Sequence, residues 1–133
     1  LAKLKGKVVA VMFFSTDCSH CQRTATELAP LYPELRAKGV EVLGLAMNPT
    51  AAQNLKNFIL SYHVKFPVGL SNRQQFAAFS RLSVMERFYY PYLLFVDPSG
   101  QVVAERQGSE RAWFGEFSAN LLKQIEPILP KKK

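Results

Sequence analysis

Two cysteines separated by two residues are the feature of this chain that most restricts its fold and chemistry. Cys18 and Cys21 are its two cysteines among 133 residues, with Ser19 and His20 between them. Two cysteines are too few for a disulfide scaffold, and a chain of this length has room for a hydrophobic core without one. An apolar run at residues 8–14 precedes the pair, and helical spacing follows it. The pair is therefore predicted to lie where a buried strand leads into a helix.

This position predicts a redox pair. A helix N-terminus carries partial positive charge and unsatisfied N–H groups, and both stabilise a thiolate. In such motifs the thiol pKa falls from about 8.5 to about 3.5–7.5. Cys18 is the predicted attacking thiolate, and Cys21, one turn deeper, is predicted to resolve the mixed disulfide. An imidazolium at His20 would stabilise the thiolate and make the disulfide a stronger oxidant; an exposed histidine without an electrostatic role is the alternative.

Other uses of the pair fit the sequence less well. A structural disulfide across two residues would remove little chain entropy. A copper or zinc carrier using both cysteines and a histidine is the second hypothesis, but the chain has no second CxxC and its histidines are His20 and His63. Covalent haem attachment needs a histidine where Gln22 stands. A docking domain with vestigial chemistry is the third hypothesis. We expect no cofactor and no metal, because the electrons reside on the two sulfurs.

The net charge of +7 does not indicate a nucleic-acid surface. The body of the chain has 11 Lys and Arg against 10 acidic residues once the lysines of the two ends are set aside. Those terminal lysines are Lys3, Lys5, Lys7, Lys131, Lys132 and Lys133. A nearly neutral body with basic ends is expected to bind no nucleic acid.

The N-terminus resembles a secretory signal in its order of charge and apolar residues. The apolar run is only seven residues long and leads into Cys18 without an A-x-A-like cleavage site, so a buried strand is predicted instead. A targeting segment or anchor would lie upstream of Leu1. No apolar run approaches the roughly 20 residues of a membrane-spanning helix, so no stable membrane insertion of this chain is expected.

Strand and helix signals alternate along the chain. Pro30 and Pro33 should kink the first helix, and Gly39 should end it. Two early strands joined by a helical crossover, followed by a late hairpin, predict a mixed sheet with helices on both faces. The prediction is one α/β domain over residues 1–133, with basic ends at 1–7 and 130–133. Its strands are predicted at residues 7–14, 40–46, 92–96 and 101–107, and its helices at 18–38, 51–62, 74–79 and 109–129.

An aromatic segment with a proline stands just before the third predicted strand. Residues 88–92 read FYYPY, with Tyr90 and Pro91 at the strand entry. A cis proline there would leave the preceding backbone groups unpaired and turned outward, so that an extended peptide could add as a strand. A trans proline in a loop packed by core aromatics is an equal alternative.

The chain resembles the thioredoxin-like redoxins of the TlpA/ResA type, whose usual form is GKVVLVNFWATWCxxC. Residues 6–21 read GKVVAVMFFSTDCSHC, and the resemblance extends from about residue 4 to residue 129. It implies a thioredoxin fold and thiol–disulfide exchange with protein substrates and a redox partner protein. It also implies a cis Pro91 facing the cysteines, Tyr90 in contact with substrate, and an extracytoplasmic or periplasmic setting. We expect a monomer, and the resemblance leaves oxidation and reduction both open.

Several positions depart from that family's pattern. Asp17 replaces a tryptophan, and its negative charge would oppose thiolate formation. Met12 replaces the buried polar group of thioredoxins, and Thr24 replaces a glutamate common in ResA-like members, so that water or Glu27 would have to manage the proton. The peroxidatic motif of peroxiredoxins needs a proline and a threonine where Val11 and Ser15 stand, and a peroxidase is therefore not predicted.

Overall fold

The computed structural model describes residues 5–79 and 87–130. A five-stranded mixed sheet with the order β3-β2-β1-β4-β5 forms its centre. The central strand is parallel to β2 on one side and antiparallel to β4 on the other. The strands are β1 (Val8–Phe14), β2 (Val40–Ala46), β3 (Val68–Leu70), β4 (Tyr92–Val96) and β5 (Val102–Gln107).

The helices cover both faces of this sheet, which confirms the predicted fold class. The middle strand β1 is buried along its whole length. Its even-numbered side chains, from Val8 to Phe14, belong to the larger core with α1, α3 and α6, and its odd-numbered ones pack with Phe76 of α4. The helices are α1 (Ser19–Leu28), α2 (Tyr32–Ala37), α3 (Ala51–Ser61), α4 (Arg73–Phe79), α5 (Arg111–Gly115) and α6 (Phe117–Ile125).

The predicted kink and the predicted end of the first helical segment are confirmed. A 3₁₀ turn at Ala29–Leu31, which contains Pro30, separates α1 from α2. Pro33 lies in the first turn of α2, where its missing N–H costs no hydrogen bond. Gly39 has φ +89° after the end of α2, a conformation that favours glycine.

Two predictions about secondary structure are wrong. The short strand β3 is absent from the sequence-based assignment, because three residues are too few to show a periodic pattern. The single helix predicted at 109–129 is divided into α5 and α6 at Glu116, where φ is −125° and ψ is 53°. Gly115 weakens the helix there, and the Asn120 side-chain amide donates to the Trp113 carbonyl at 2.9 Å. Parts of the predicted basic ends, residues 1–4 and 131–133, lie outside the described residues.

Candidate active site

The chain places Cys18 at the carboxyl end of the central strand. A three-residue loop follows β1, and Cys18 is the N-cap residue of α1. Its Sγ accepts a hydrogen bond from the Cys21 N–H at 3.2 Å, and its carbonyl accepts one from the Gln22 N–H at 3.0 Å. The thiol therefore takes the place of the side-chain oxygen that usually caps a helix. The predicted junction of strand and helix is confirmed.

The environment of Cys18 favours its thiolate. Both cysteines are free thiols, and Cys18 is partly exposed. A hydrogen bond from the Cys21 thiol is the largest influence and lowers the pKa of Cys18 to about 6. Partial burial opposes this shift, whereas the backbone N–H groups of Cys21 and His20 and the positive charge of Arg23 reinforce it. At neutral pH the Cys18 sulfur is thus mostly ionised.

Cys21 has the opposite character. Its side chain is 0% exposed and packs in the larger core beneath α1. Burial raises the pKa of Cys21 far above its ordinary value, and the hydrogen bond to Cys18 raises it further. The pair therefore consists of a reachable thiolate and an interior thiol that holds its proton and donates it toward the thiolate.

The sequence-based prediction for His20 needs correction. Burial lowers the pKa of His20, and the charge of Arg23 lowers it further, so the neutral imidazole dominates at pH 7. The ring packs edge-on against Phe114, with 4.8 Å between ring centroids. The predicted imidazolium therefore receives no support at neutral pH, whereas the backbone N–H of His20 does lower the pKa of Cys18.

The other departures from the family pattern also have a structural description. Asp17 is exposed next to Cys18, where solvent screens its charge. The Thr24 hydroxyl is buried and donates to the His20 carbonyl at 2.9 Å. Met12 is 0% exposed in the core. Thr24 thus satisfies the backbone of α1, and neither it nor Met12 supplies an ionisable group near the pair.

Sequence reasoning missed the side chains that fix the loop before Cys18. The Thr16 N–H donates to Asn48 Oδ1 at 3.0 Å, and Asn48 Nδ2 donates to the Thr16 hydroxyl at 2.7 Å. Gln22 Nε2 donates to the Thr16 carbonyl at 3.0 Å. Asn48 follows β2, whose carboxyl end lies beside that of the parallel strand β1. A polar residue directly after the second parallel strand was the available signal.

The predicted aromatic segment approaches the cysteine pair. The Tyr90–Pro91 peptide bond is cis, as the family resemblance implies. Burial raises the pKa of Tyr90 against the lowering effect of the Arg73 charge, and the negative charge of the nearby Cys18 thiolate raises it further. Tyr89 donates its N–H to Gln107 Oε1 at 3.2 Å and accepts from the Gly108 N–H at 3.1 Å. These bonds fasten the residue before Tyr90 to the end of β5.

A groove of about 860 Å³ opens beside the CxxC helix. Residues of α1, residues of α5 and the Tyr89–Tyr90 segment line it. The side chains that determine its charge are Arg23, Glu27 and Arg111. Tyr89 stands at its edge with 52% of its surface exposed.

The metal-carrier alternative receives no support from the described residues. Residues 5–79 and 87–130 contain no group of three or more His, Cys, Asp or Glu side chains arranged to hold a metal ion. His63 is exposed just beyond α3, with φ 57°. Within the same part of the chain, no helix has the length and apolar character needed to cross a membrane.

Comparison with known proteins agrees with this geometry. The pattern of the AhpC/TSA family matches residues 1–105. The thiol-disulfide oxidoreductase ResA of Bacillus thuringiensis (strain Al Hakam) is 31% identical over 127 residues, which cover 96% of this chain and 68% of the relative. Two solved structures share the fold. The thioredoxin domain of a thiol-disulfide oxidoreductase from Bacteroides vulgatus has a TM-score of 0.70 at 22% identity. The matched region covers 96% of this chain and 82% of the Bacteroides chain. A secreted disulfide oxidoreductase from Mycobacterium tuberculosis has a TM-score of 0.69 at 18% identity. The matched region covers 92% of this chain and 85% of the Mycobacterium chain. The chain therefore belongs to the AhpC/TSA family and, within it, to the ResA-type thiol-disulfide oxidoreductases with a thioredoxin fold.

Proposed function

We propose that this protein exchanges disulfides with protein partners through Cys18 and Cys21. The observation that carries the proposal is the contrast between the two sulfurs: a partly exposed thiolate at a helix N-cap and a buried thiol hydrogen-bonded to it. Nucleophilic attack needs the first, and delayed resolution needs the second. Cys18 is the proposed nucleophile and Cys21 the proposed resolving residue.

In the reducing direction, the Cys18 thiolate attacks one sulfur of a partner's disulfide. The partner's S–S bond breaks, its other sulfur leaves as a thiolate, and a mixed disulfide links Cys18 to the partner. Cys21 then loses its proton to solvent and attacks the Cys18 sulfur. The mixed disulfide breaks, and the partner leaves with two reduced cysteines. Cys18 and Cys21 are now joined by a disulfide, so the protein has given two electrons to its partner. The oxidising direction is the reverse of these steps.

The lowered pKa of Cys18 constrains the redox potential. A value of about 6 lies between the pKa values of about 7 for thioredoxin and about 3.5 for DsbA. Stabilising the thiolate stabilises the reduced form, so we expect a potential between about −270 mV and about −120 mV. Equilibration of the pair against glutathione buffers measures it, and the potential decides which direction is favoured with a given partner.

Tyr90 and Pro91 are the proposed substrate-holding residues. Tyr90 lies near the thiols, and its own backbone N–H and carbonyl make no hydrogen bond within the described residues. An extended partner segment can satisfy such groups by adding as a short strand. His20 is proposed to form a wall of this site through its ring rather than to act by charge, while Asp17 and Thr24 tune the site indirectly.

Trapping the mixed disulfide tests the proposal. The Cys21→Ser variant should retain a covalent complex with a disulfide-containing protein such as insulin, and the complex should disappear on addition of dithiothreitol. The Cys18→Ser variant should form none, because its remaining thiol is buried and protonated. Normal turnover of insulin disulfides by Cys18→Ser would overturn the assignment. A docking domain with vestigial chemistry would show no turnover in the parent protein either.

We also propose an extracytoplasmic setting, supported by the resemblance to TlpA/ResA-type redoxins and by the fold shared with a secreted oxidoreductase. Thiol–disulfide exchange with proteins is most useful where disulfides persist. Fractionation of cells that express the full-length gene tests this, and recovery of the protein solely with the cytosol would contradict it.

A further inference from the structure

The groove beside the cysteine pair has an excess of unpaired positive charge. Arg23 on α1 and Arg111 on α5 both line this groove, and both side chains are exposed. Within residues 5–79 and 87–130, neither arginine has a carboxylate within 4.0 Å. The acid next to Arg111 in sequence, Glu110, is engaged elsewhere, with Arg106 Nη1 at 2.8 Å and the Gln107 N–H at 2.7 Å. As far as the described residues go, both guanidinium groups are therefore open to an external anion.

The remaining charged groups do not neutralise this site. Glu27 is the acidic side chain of the lining, four residues after Arg23 on α1, and the two make no ion pair. His20 also lines the groove, but burial and the charge of Arg23 keep its imidazole neutral near pH 7. Two cations thus face one anion in a groove whose aromatic wall includes Phe114.

We propose that this groove binds the polypeptide segment that flanks the partner's reacting cysteine, and that Arg23 and Arg111 select segments with an Asp or Glu side chain. The proposal rests on the exchange reaction proposed above. A planar guanidinium matches a carboxylate through two parallel hydrogen bonds, which gives geometric preference as well as attraction. Arg23 is also near enough for its charge to act on the Cys18 sulfur, so the acidic residue should stand close to the reacting cysteine in sequence.

A polypeptide fits this groove better than a small thiol does. The lining of the groove includes both arginines and the Tyr89–Tyr90 segment that precedes Pro91, so a polypeptide several residues long can contact all of them at once. Glutathione disulfide also carries carboxylates and is the small-molecule source of the same chemistry. It therefore belongs in the test as a separate arm.

The test compares peptides that differ in one side chain. Each peptide carries one cysteine activated as a neutral thiopyridyl disulfide, with Glu, Gln or Lys placed two residues away. The reduced protein attacks the peptide sulfur and releases pyridine-2-thione, whose absorbance gives the rate. Hydroxyethyl disulfide, which has no charge, reports the reactivity of Cys18 itself. The proteins are the parent, Arg23→Gln, Arg111→Gln, the double variant and, as a matched control, Arg36→Gln, which lies on α2 and is paired with Glu41.

We expect the parent to react with the Glu peptide about two- to fivefold faster than with the Gln peptide, the range of one solvent-exposed ion pair. The Lys peptide should be slowest, and 1 M salt should reduce the difference. The Glu-to-Gln ratio should fall to about one in the double variant and stay at the parent value in Arg36→Gln. Ratios within one protein cancel the effect of Arg23 on thiol reactivity.

Other outcomes overturn distinct parts of the proposal. Equal rates with the Glu and Gln peptides in the parent would refute acidic selection while leaving disulfide exchange intact. A preference that persists in the double variant would refute the assignment to these arginines. If glutathione disulfide instead reacted faster than the Glu peptide in the parent and lost this advantage in the double variant, that result would assign the groove to a small anionic disulfide. Absence of reaction with every disulfide would refute the proposed function itself.

Discussion

Gly108 lies so close to Tyr90 that a side chain there would collide with the backbone. A Cβ atom built on Gly108 would overlap the Tyr90 carbonyl oxygen and lie 2.7 Å from its carbonyl carbon. The Gly108 N–H also donates to the Tyr89 carbonyl at 3.1 Å. The end of β5 therefore sets the position of the segment that precedes Pro91, and it does so by backbone contact.

Replacing this glycine should displace the proposed substrate-holding segment. In Gly108→Ala the methyl group cannot be accommodated by a rotamer change, because the neighbouring atoms belong to the backbone. We expect a loss of about 1–3 kcal/mol in the free energy of unfolding. We also expect a larger fall in the rate with insulin than with hydroxyethyl disulfide. Urea unfolding and the two rates measure these effects.

Gly69→Ala is the matched control for that substitution. A Cβ at Gly69 would meet only Leu45 Cδ2 at 3.7 Å, an ordinary van der Waals distance. Its rates with both disulfides should equal those of the parent. If Gly108→Ala lowered both rates equally, the substitution would have reduced the reactivity of Cys18 itself. The proposal that Tyr90 and Pro91 hold the substrate would then be wrong.

The backbone N–H of His20, rather than its ring, should contribute to the ionisation of Cys18. Alkylation of the reduced protein by iodoacetamide as a function of pH should show a midpoint near 6 for Cys18. His20→Ala keeps the N–H and removes a ring that is neutral at pH 7, so the midpoint should stay in place. His20→Pro removes the N–H in the first turn of α1 and should move the midpoint upward. An upward shift in His20→Ala as large as that in His20→Pro would restore the imidazolium hypothesis.

Ionisation of Cys18 should make the stability of the reduced protein depend on pH. The unfolded thiol has a pKa of about 8.5, whereas in the folded protein the Cys18 value falls to about 6. Between these values the unfolded state binds more protons, so the free energy of unfolding rises with pH. This contribution is complete above about pH 8.5 and is lost as the pH falls through 6. Above pH 8.5 the raised pKa of buried Cys21 acts in the opposite direction.

The oxidised protein is the control, because its disulfide has no thiol to titrate. The urea midpoint of the reduced form minus that of the oxidised form should rise from pH 5.5 to pH 8. The difference in urea midpoint between Cys18→Ser and the oxidised parent should show no such rise over this range. A pH-independent difference in the parent would mean that the Cys18 pKa is close to its unfolded value.

The sequence carried the local features of this site, and tertiary contacts determined the rest. The position of Cys18 at the start of α1 follows from an apolar run and helical spacing, and the end of α2 follows from Gly39. The burial that lowers the pKa of His20 was not visible in the sequence, because its ring packs against Phe114, almost a hundred residues away in the chain, only after folding. The residue spacing within the motif gives no indication of that contact.

Gly108 and Asn48 were missed for related reasons. Gly108 falls between the last predicted strand and the last predicted helix, where a glycine usually marks a turn, and nothing local indicates a backbone approach to Tyr90. Asn48 falls between the second predicted strand and the second predicted helix, and its contacts with Thr16 join two loops 32 residues apart. Only the parallel pairing of β1 with β2 brings these loops together.

The Asn48 side chain should stabilise the loop before Cys18 through Thr16. In Asn48→Ala, the N–H of buried Thr16 loses its acceptor at 3.0 Å, and its hydroxyl loses the donor at 2.7 Å. An orphaned buried group costs about 1–3 kcal/mol, and we expect the free energy of unfolding to fall by that amount. Asn57→Ala, which removes an exposed amide from α3, is the control and should change it little.

A double-mutant cycle identifies the bond responsible. Asn48 also donates to the Thr50 hydroxyl at 3.0 Å, but Thr50 is exposed, so water replaces that bond at little cost. The coupling of Asn48→Ala with Thr16→Val should therefore exceed its coupling with Thr50→Val, as measured by urea unfolding of the single and double variants. Equal couplings, or an Asn48→Ala variant as stable as the parent, would mean that the loop before Cys18 is held by Gln22 and the backbone alone.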